Sequence, residues 1–149
     1  MSEFRTLQGY DRQTLNKGLT RSMEDYLEMI CRQAKKQGYI RINELAVQLH
    51  VRPSSASKMA DVLKKEGYIA YEKYGVIKPT KKGWDVGRYL LYRHDVLHAF
   101  LCRINQSQDE LEQVEKIEHF LNDRTIRNLD EWLKAQKSDD PATEKDKRL

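Results

Sequence analysis

The chain has 149 residues, 34% of them charged and 39% hydrophobic, with a net charge of +4. That length suits one small domain or a domain with an extension, and with no membrane-length apolar stretch and no signal-peptide core a soluble, cytoplasmic protein is expected. Cys31 and Cys102 form no CxxC pair, which argues against a disulfide framework or a thiolate zinc site and reads as two reduced core residues.

Residues 1–20 are polar and lack a sustained period, so a flexible arm is expected there. "SMEDYLEMICRQAKKQG" predicts a helix from Ser22 to Gly38, with Ser22 as N-cap, Gly38 as C-cap and Met23, Leu27, Ile30 and Ala34 as the apolar stripe. "INELAVQLHV" predicts a short helix with Leu45, Ala46 and Leu49 inward. "SSASKMADVLKKEGY" predicts another, entered through Pro53, capped by Ser54 or Ser55 and stopped at Gly67. The period then changes: "YIAYEKYGVIKPT" is rich in β-branched and aromatic residues and predicts a small hairpin. Pro79 has no N–H for a ladder, so the hairpin's last strand is expected to be short or at an edge. Three helices follow, in "KKGWDVGRYLLYRHDVLHAFLCRI", "DELEQVEKIEHFL" and "RTIRNLDEWLKAQ", and the charged tail, 138–149, is expected to be disordered.

Charge is unevenly spread. Arg41 to Lys82 holds nine basic and four acidic side chains, whereas Gln106 to Asp123 holds one basic and six acidic. Two short helices, a tight turn and a hairpin, all within the basic part, describe a winged helix-turn-helix whose second helix enters the major groove. Arg52, Ser54, Ser55, Ser57 and Lys58 are the candidates for that surface, because small hydroxyls at a helix start allow close approach to bases and phosphates. Lys64, Lys65, Lys73 and Lys78 would add phosphate contacts or steering. The bland alternative is solvated lysines on a protein-interaction module.

The acidic part holds the sharpest local anomaly. On a wheel of about 100° per residue with Leu111 at zero, Val114 falls near 300°, Leu121 near 280° and Glu118 near 340°. Glu118 therefore sits inside the apolar stripe, with Glu115 and His119 on its edge. A carboxylate buried there needs a proton, a base or a cation; otherwise the helix is half exposed and Glu118 bends outward. Asp25 and Glu28 form a second pair at i, i+3, off the Leu27–Ile30 stripe, and Ser22-x-x-Asp25 is also a capping-box pattern. His94 and His98, at i, i+4, suit either a metal or ordinary surface hydrogen bonding.

"SMEDYLE", "RPSSASKM", "YEKYG", "PTKKG", "YRH" and "VEKIEHFL", in this order and spacing, closely resemble the manganese-responsive members of the DtxR/MntR family of metal-dependent repressors, from about Thr20 to Gln136. The resemblance implies a mostly α fold with a small β-hairpin wing: a winged helix-turn-helix domain, 21–90, followed by a helical metal-binding and dimerisation domain, 91–137. It implies six metal ligands, Asp25, Glu28, His94, Glu115, Glu118 and His119, with Glu28 and Glu118 bridging two ions. His98 is outside that pattern. Asp25 marks the manganese type, since the iron-responsive type carries methionine there. Four carboxylates and two imidazoles without a thiolate suit Mn²⁺ or Fe²⁺, with Zn²⁺ or Cd²⁺ able to bind in vitro. The implied partners are a second copy of the chain and a palindromic operator, with no membrane, and the implied output is repression of manganese uptake genes. The competing readings are an iron-responsive or metal-independent winged-helix regulator and a carboxylate-bridged dimetal enzyme; the winged helix leaves too few long helices for the last.

Overall fold

The structure is a computed structural model and describes residues 18–72 and 75–139. It divides into two compact units, with the boundary after Arg88.

The first unit opens on α1 (Arg21–Gln37). Its N-cap is Thr20, not Ser22: Thr20 Oγ1 accepts from the Met23 N–H at 3.2 Å. Ser22 already lies in the first turn, so the expected Ser22–Asp25 capping box does not form. Gly38 ends the helix at φ 89, a left-handed conformation that glycine adopts without steric cost. Met23, Leu27, Ile30 and Ala34 are buried as the period predicts, joined by Tyr26 and Cys31. Thr20→Ala should therefore lower stability by about 1 kcal/mol, whereas Ser22→Ala should stay within about 0.5 kcal/mol of the parent. Urea denaturation midpoints of the two variants separate the two cap assignments.

A two-residue strand β1 (Ile40–Arg41) leads into α2 (Ile42–Leu49), which buries Leu45 and Ala46 and leaves Leu49 half-buried. In α3 (Pro53–Lys65), Arg52 holds the N-cap position in extended conformation without a side-chain cap, and Pro53 occupies the first turn. Ser54 and Ser55 fall inside the helix and do not cap it. Pro53 fixes a helical φ and lacks an N–H that would need satisfying there, so the start is set without a hydroxyl. Ala56, Ala60 and Leu63 are fully buried one turn apart, and the helix stops before Gly67, at φ 83.

β2 (Ile69–Tyr71) and β3 (Val76–Pro79) form the expected hairpin, but β1 adds a third strand, giving the antiparallel order β1-β3-β2. Two residues carry no readable period, which is why β1 is invisible in the sequence. β3 is thus the central strand rather than an edge. Ile69 faces Pro79, Ala70 faces Lys78 and Tyr71 faces Ile77, while β1 reaches only Ile77 and Val76. Hydrogen bonds from Glu72 N to Val76 O and from Thr80 N to Tyr68 O flank this ladder. Alternation then makes Ile69–Pro79 a non-hydrogen-bonded pair. The proline nitrogen faces away from β2, beyond the end of β1, and no ladder bond is lost.

α4 (Lys81–Asn105) starts in the first unit, where Gly83 and Gly87 meet the Tyr68 backbone and Cys31, and its remainder belongs to the second. There α5 (Leu111–Ile117) gives way to a 3-10 turn, Glu118–Phe120, where the sequence predicts one continuous helix. α6 (Asp123–Ser138) is capped by Asn122, whose Oδ1 accepts from Thr125 N at 2.9 Å, and it includes Ser138, a residue expected in the tail. Residues 140–149 lie outside the described residues, as do residues 1–17 of the expected arm. The core of this unit is Val96, Leu97, Leu101, Val114 and Ile126. The Tyr92 hydroxyl donates to Asp130 Oδ2 at 2.7 Å, and burial, with that bond, pushes the phenol up to about 12. Among the described residues no helix is long and apolar enough to cross a membrane.

Candidate metal centre

In the second unit α4 supplies His94, α5 supplies Glu115, and the 3-10 turn supplies Glu118 and His119. α5 ends on a bond from Glu118 N–H to Val114 O, so Glu118 stays in register with the Val114 side that packs into the core. The result is the burial that the wheel anticipates: Glu118 is 0% exposed. His94 Nδ1 lies 3.3 Å from Glu118 Oε2 and 3.7 Å from Glu115 Oε1, and His119 Nε2 lies 3.7 Å from Glu118 Oε1. Each oxygen of the buried carboxylate thus faces a different imidazole. One ligand atom each from His94, Glu115 and Glu118 falls within 4.8 Å of the others, and the same holds for Glu118 with His119.

Arg93, the neighbour of His94 on α4, is 3% exposed, and its Nη2 lies 3.3 Å from His119 Nδ1. A guanidinium has only N–H donors, so Nδ1 must accept. The Nε2 nitrogen, which faces Glu118, then carries the proton of the neutral ring. Burying a carboxylate and a guanidinium is costly unless polar partners replace water; Arg93 Nη2 and Glu118 Oε2 each lie 3.3 Å from an imidazole nitrogen. Arg93 was not singled out in the sequence, where it is one more charge on a helix.

On α1 of the first unit stand Asp25, half-buried, and Glu28, 5% exposed. The wheel left both off the apolar stripe. The buried arc of α1 is wider than that stripe, running from Tyr26 through Leu27 and Cys31 to Glu28, as befits an interior rather than a surface helix. With Thr20 as the cap, Asp25 lies in the second turn and is not needed to close the helix start.

The donor set is carboxylate and imidazole. Burial pushes the Cys31 thiol up to about 12, against the lowering effect of Arg88, and its Sγ donates to Gly83 O at 3.8 Å, outside the His94 group. Cys102 is half-buried rather than a core residue, and its Sγ sits 3.6 Å from His98 Nε2, which also accepts from Glu110 N at 3.3 Å. His98 is therefore engaged outside the His94 group. Oxygen and imidazole donors around one buried carboxylate fit a hard to borderline divalent ion.

The candidates for nucleic acid lie in the first unit. Arg52, Ser54, Ser55 and Lys58 are exposed at or near the start of α3, and Ser57 is half-buried. Lys65 is exposed at the end of that helix and Lys78 on β3. Lys64 is exposed, and its Nζ donates to Tyr71 O at 3.3 Å, tying α3 to β2. Lys73 lies outside the described residues.

Residues 18–77 match the iron dependent repressor N-terminal DNA-binding domain, and residues 80–146 match the iron dependent repressor metal-binding and dimerisation domain. The chain is 39% identical over 122 residues to the HTH-type transcriptional regulator MntR of Bacillus subtilis (strain 168), covering 81% of this chain and 86% of that protein. It is 38% identical over 122 residues to the MntR of Geobacillus kaustophilus (strain HTA426), with the same coverage. Among solved structures it is similar to the manganese regulator SloR, at a TM-score of 0.67 and 27% identity, and to the metal-dependent transcriptional regulator MtsR, at 0.69 and 26%. Each of these two covers 78% of this chain, which spans only 55% of their length. These relatives are transcriptional regulators of a DNA-binding repressor family, not enzymes. A DNA-binding domain followed by a metal-binding and dimerisation domain, matched almost end to end, places this chain in the iron-dependent (DtxR/MntR) family of metal-dependent transcriptional repressors.

Proposed function

We propose that the protein is a cytoplasmic, homodimeric, manganese-responsive repressor that binds a palindromic operator and silences manganese uptake genes when the ion is plentiful. The observation that carries the reading is Glu118, a fully buried carboxylate with an imidazole at each oxygen in a thiolate-free donor set. Asp25 and Glu28 would complete the ligand set with His94, Glu115, Glu118 and His119, and the six together would hold two Mn²⁺ per subunit. Fe²⁺, Zn²⁺ or Cd²⁺ can occupy the same donors in vitro, since affinity does not follow biological choice. Bound Mn²⁺ supplies the positive charge that lets these carboxylates sit together.

Asp25 and Glu28 precede the helix-turn-helix in the chain and the other four ligands follow it, so ligation constrains the DNA-binding helices relative to the dimer axis. A palindrome demands that two recognition helices be spaced by about one turn of DNA. Arg52, Ser54, Ser55, Ser57 and Lys58 face the groove, and Lys64, Lys65, Lys73 and Lys78 meet phosphates. Metal and operator then strengthen each other's binding by the same factor. Titrating Mn²⁺ at fixed salt into protein and a palindromic operator should raise DNA affinity by roughly 5–150-fold, the usual range of allosteric coupling. Unchanged affinity across the metal range would sink the reading.

A further inference from the structure

On α1 one oxygen of the Glu28 carboxylate, Oε1, lies 3.1 Å from Arg32 Nη2. The residues stand four apart with the acid N-terminal to the base, the order that favours such a pair. Burial distinguishes it from the other helix pairs: Lys116–Glu112 and Arg127–Asp123 are exposed on both sides, whereas Glu28 is almost wholly buried and the Arg32 side chain is 32% exposed. A guanidinium does not deprotonate in proteins, so this positive charge on Glu28 is permanent. Resting on the reading of Glu28 as a metal ligand, we infer that Arg32 is a built-in counter-cation of the metal site. It weakens cation binding at Glu28 and so sets how much divalent ion the protein needs before it responds.

Two effects of opposite sign bear on this. A hydrogen-bond partner of a ligand can orient it, and its loss then weakens metal binding. A fixed positive charge on the same carboxylate instead repels an arriving dication, and at a mostly buried group solvent screens that repulsion poorly. Glu28 closes the buried arc of α1, next to Cys31 on the wheel, and is 5% exposed, while Arg32 is long and one-third exposed. Such a side chain is a poor orienter and still a full charge, so repulsion wins.

The test is direct Mn²⁺ binding to the metal-free protein, read from loss of the paramagnetic resonance signal of the free aquo ion, without DNA. Arg32→Gln keeps a hydrogen-bond donor and removes the charge, and should tighten binding on the order of tenfold. Arg32→Lys keeps the charge and loses the planar fork, and should stay within about twofold of the parent. Thermal melting of the metal-free variants should confirm that both fold. Unchanged or weaker binding by Arg32→Gln, with the parent binding Mn²⁺ normally, overturns the inference alone. No Mn²⁺ binding by the parent overturns the metal-site reading and the inference with it.

Discussion

Glu118→Ala is expected to abolish the Mn²⁺ response of operator binding, leaving DNA affinity flat where the parent's rises. The argument starts from burial: Glu118 is the only fully buried carboxylate among the described residues, and its two oxygens face His94 and His119 separately. On the proposed reading, deleting it removes the charge that would draw a cation there, together with the carboxylate that two imidazoles face. Loss of a partner hydrogen-bonded to a metal ligand typically costs about 10–100-fold in affinity; loss of the central ligand should cost more. Glu115 is exposed and 3.7 Å from His94, so Glu115→Ala should weaken the response without erasing it. Because truncating a buried acceptor also costs about 1–3 kcal/mol, Glu118→Gln is the companion variant: it keeps the shape and removes the charge. Fluorescence anisotropy with labelled operator across a Mn²⁺ series reads the response, and circular dichroism melting of the metal-free variants reads the fold. A Glu118→Gln protein that folds and responds like the parent places the site elsewhere.

That prediction uses a residue the sequence already marks. Periodicity alone sets Glu118 within the apolar stripe, and its burial survives even though the helix it was drawn on ends at Ile117. The reason is that Val114 anchors the register one turn earlier, and a 3-10 step changes the angle by only about 20° per residue. The helix-turn-helix and the hairpin were legible because each has its own period and stop signal, Gly38 and Gly67 among them. What failed were features decided by three-dimensional context. Ser22, Ser54 and Ser55 are all good capping residues by type, but Thr20 and the Arg52–Pro53 entry set the helix starts. β1 is two residues long and exists only because β3 offers it a ladder. Glu28 looked solvent-facing because a wheel weighs apolar residues and cannot see how wide the buried arc of α1 is. Arg93 and Arg32 matter through what they touch, His119 and Glu28, and touching is what a sequence does not display.

Gly83→Ala is expected to be the most destabilising conservative change in the first unit. In an ordinary helix the substitution would stabilise by roughly 0.5–1 kcal/mol, because alanine loses less freedom on folding. Here the added methyl would meet the Tyr68 carbonyl oxygen and carbon, which are backbone atoms. That carbonyl cannot step aside: Tyr68 N is bonded to Leu63 O, which holds the hairpin to the end of α3, and the Tyr68 oxygen accepts from Thr80 N, which closes the base of the hairpin. α4 must therefore move instead, breaking the bond from Gly83 N to Thr80 Oγ1 that sets its start. Overpacking against an unyielding neighbour costs typically about 1–3 kcal/mol and sometimes more, so the clash outweighs the propensity gain and takes much of a stability that is only about 5–15 kcal/mol for a small domain. One turn on, Gly87→Ala meets Cys31 Sγ and, at 3.0 Å, its Cβ, a side chain rather than backbone. Its cost should be smaller and should shrink further when Cys31→Ala removes the sulfur. Denaturation midpoints of the two glycine variants, each with and without Cys31→Ala, form a double-mutant cycle. A large favourable coupling for Gly87 and a smaller one for Gly83, whose carbonyl oxygen accepts from Cys31 Sγ at 3.8 Å, is the expected pattern; a Gly83→Ala protein as stable as the parent would show that α4 is free to shift along the hairpin after all.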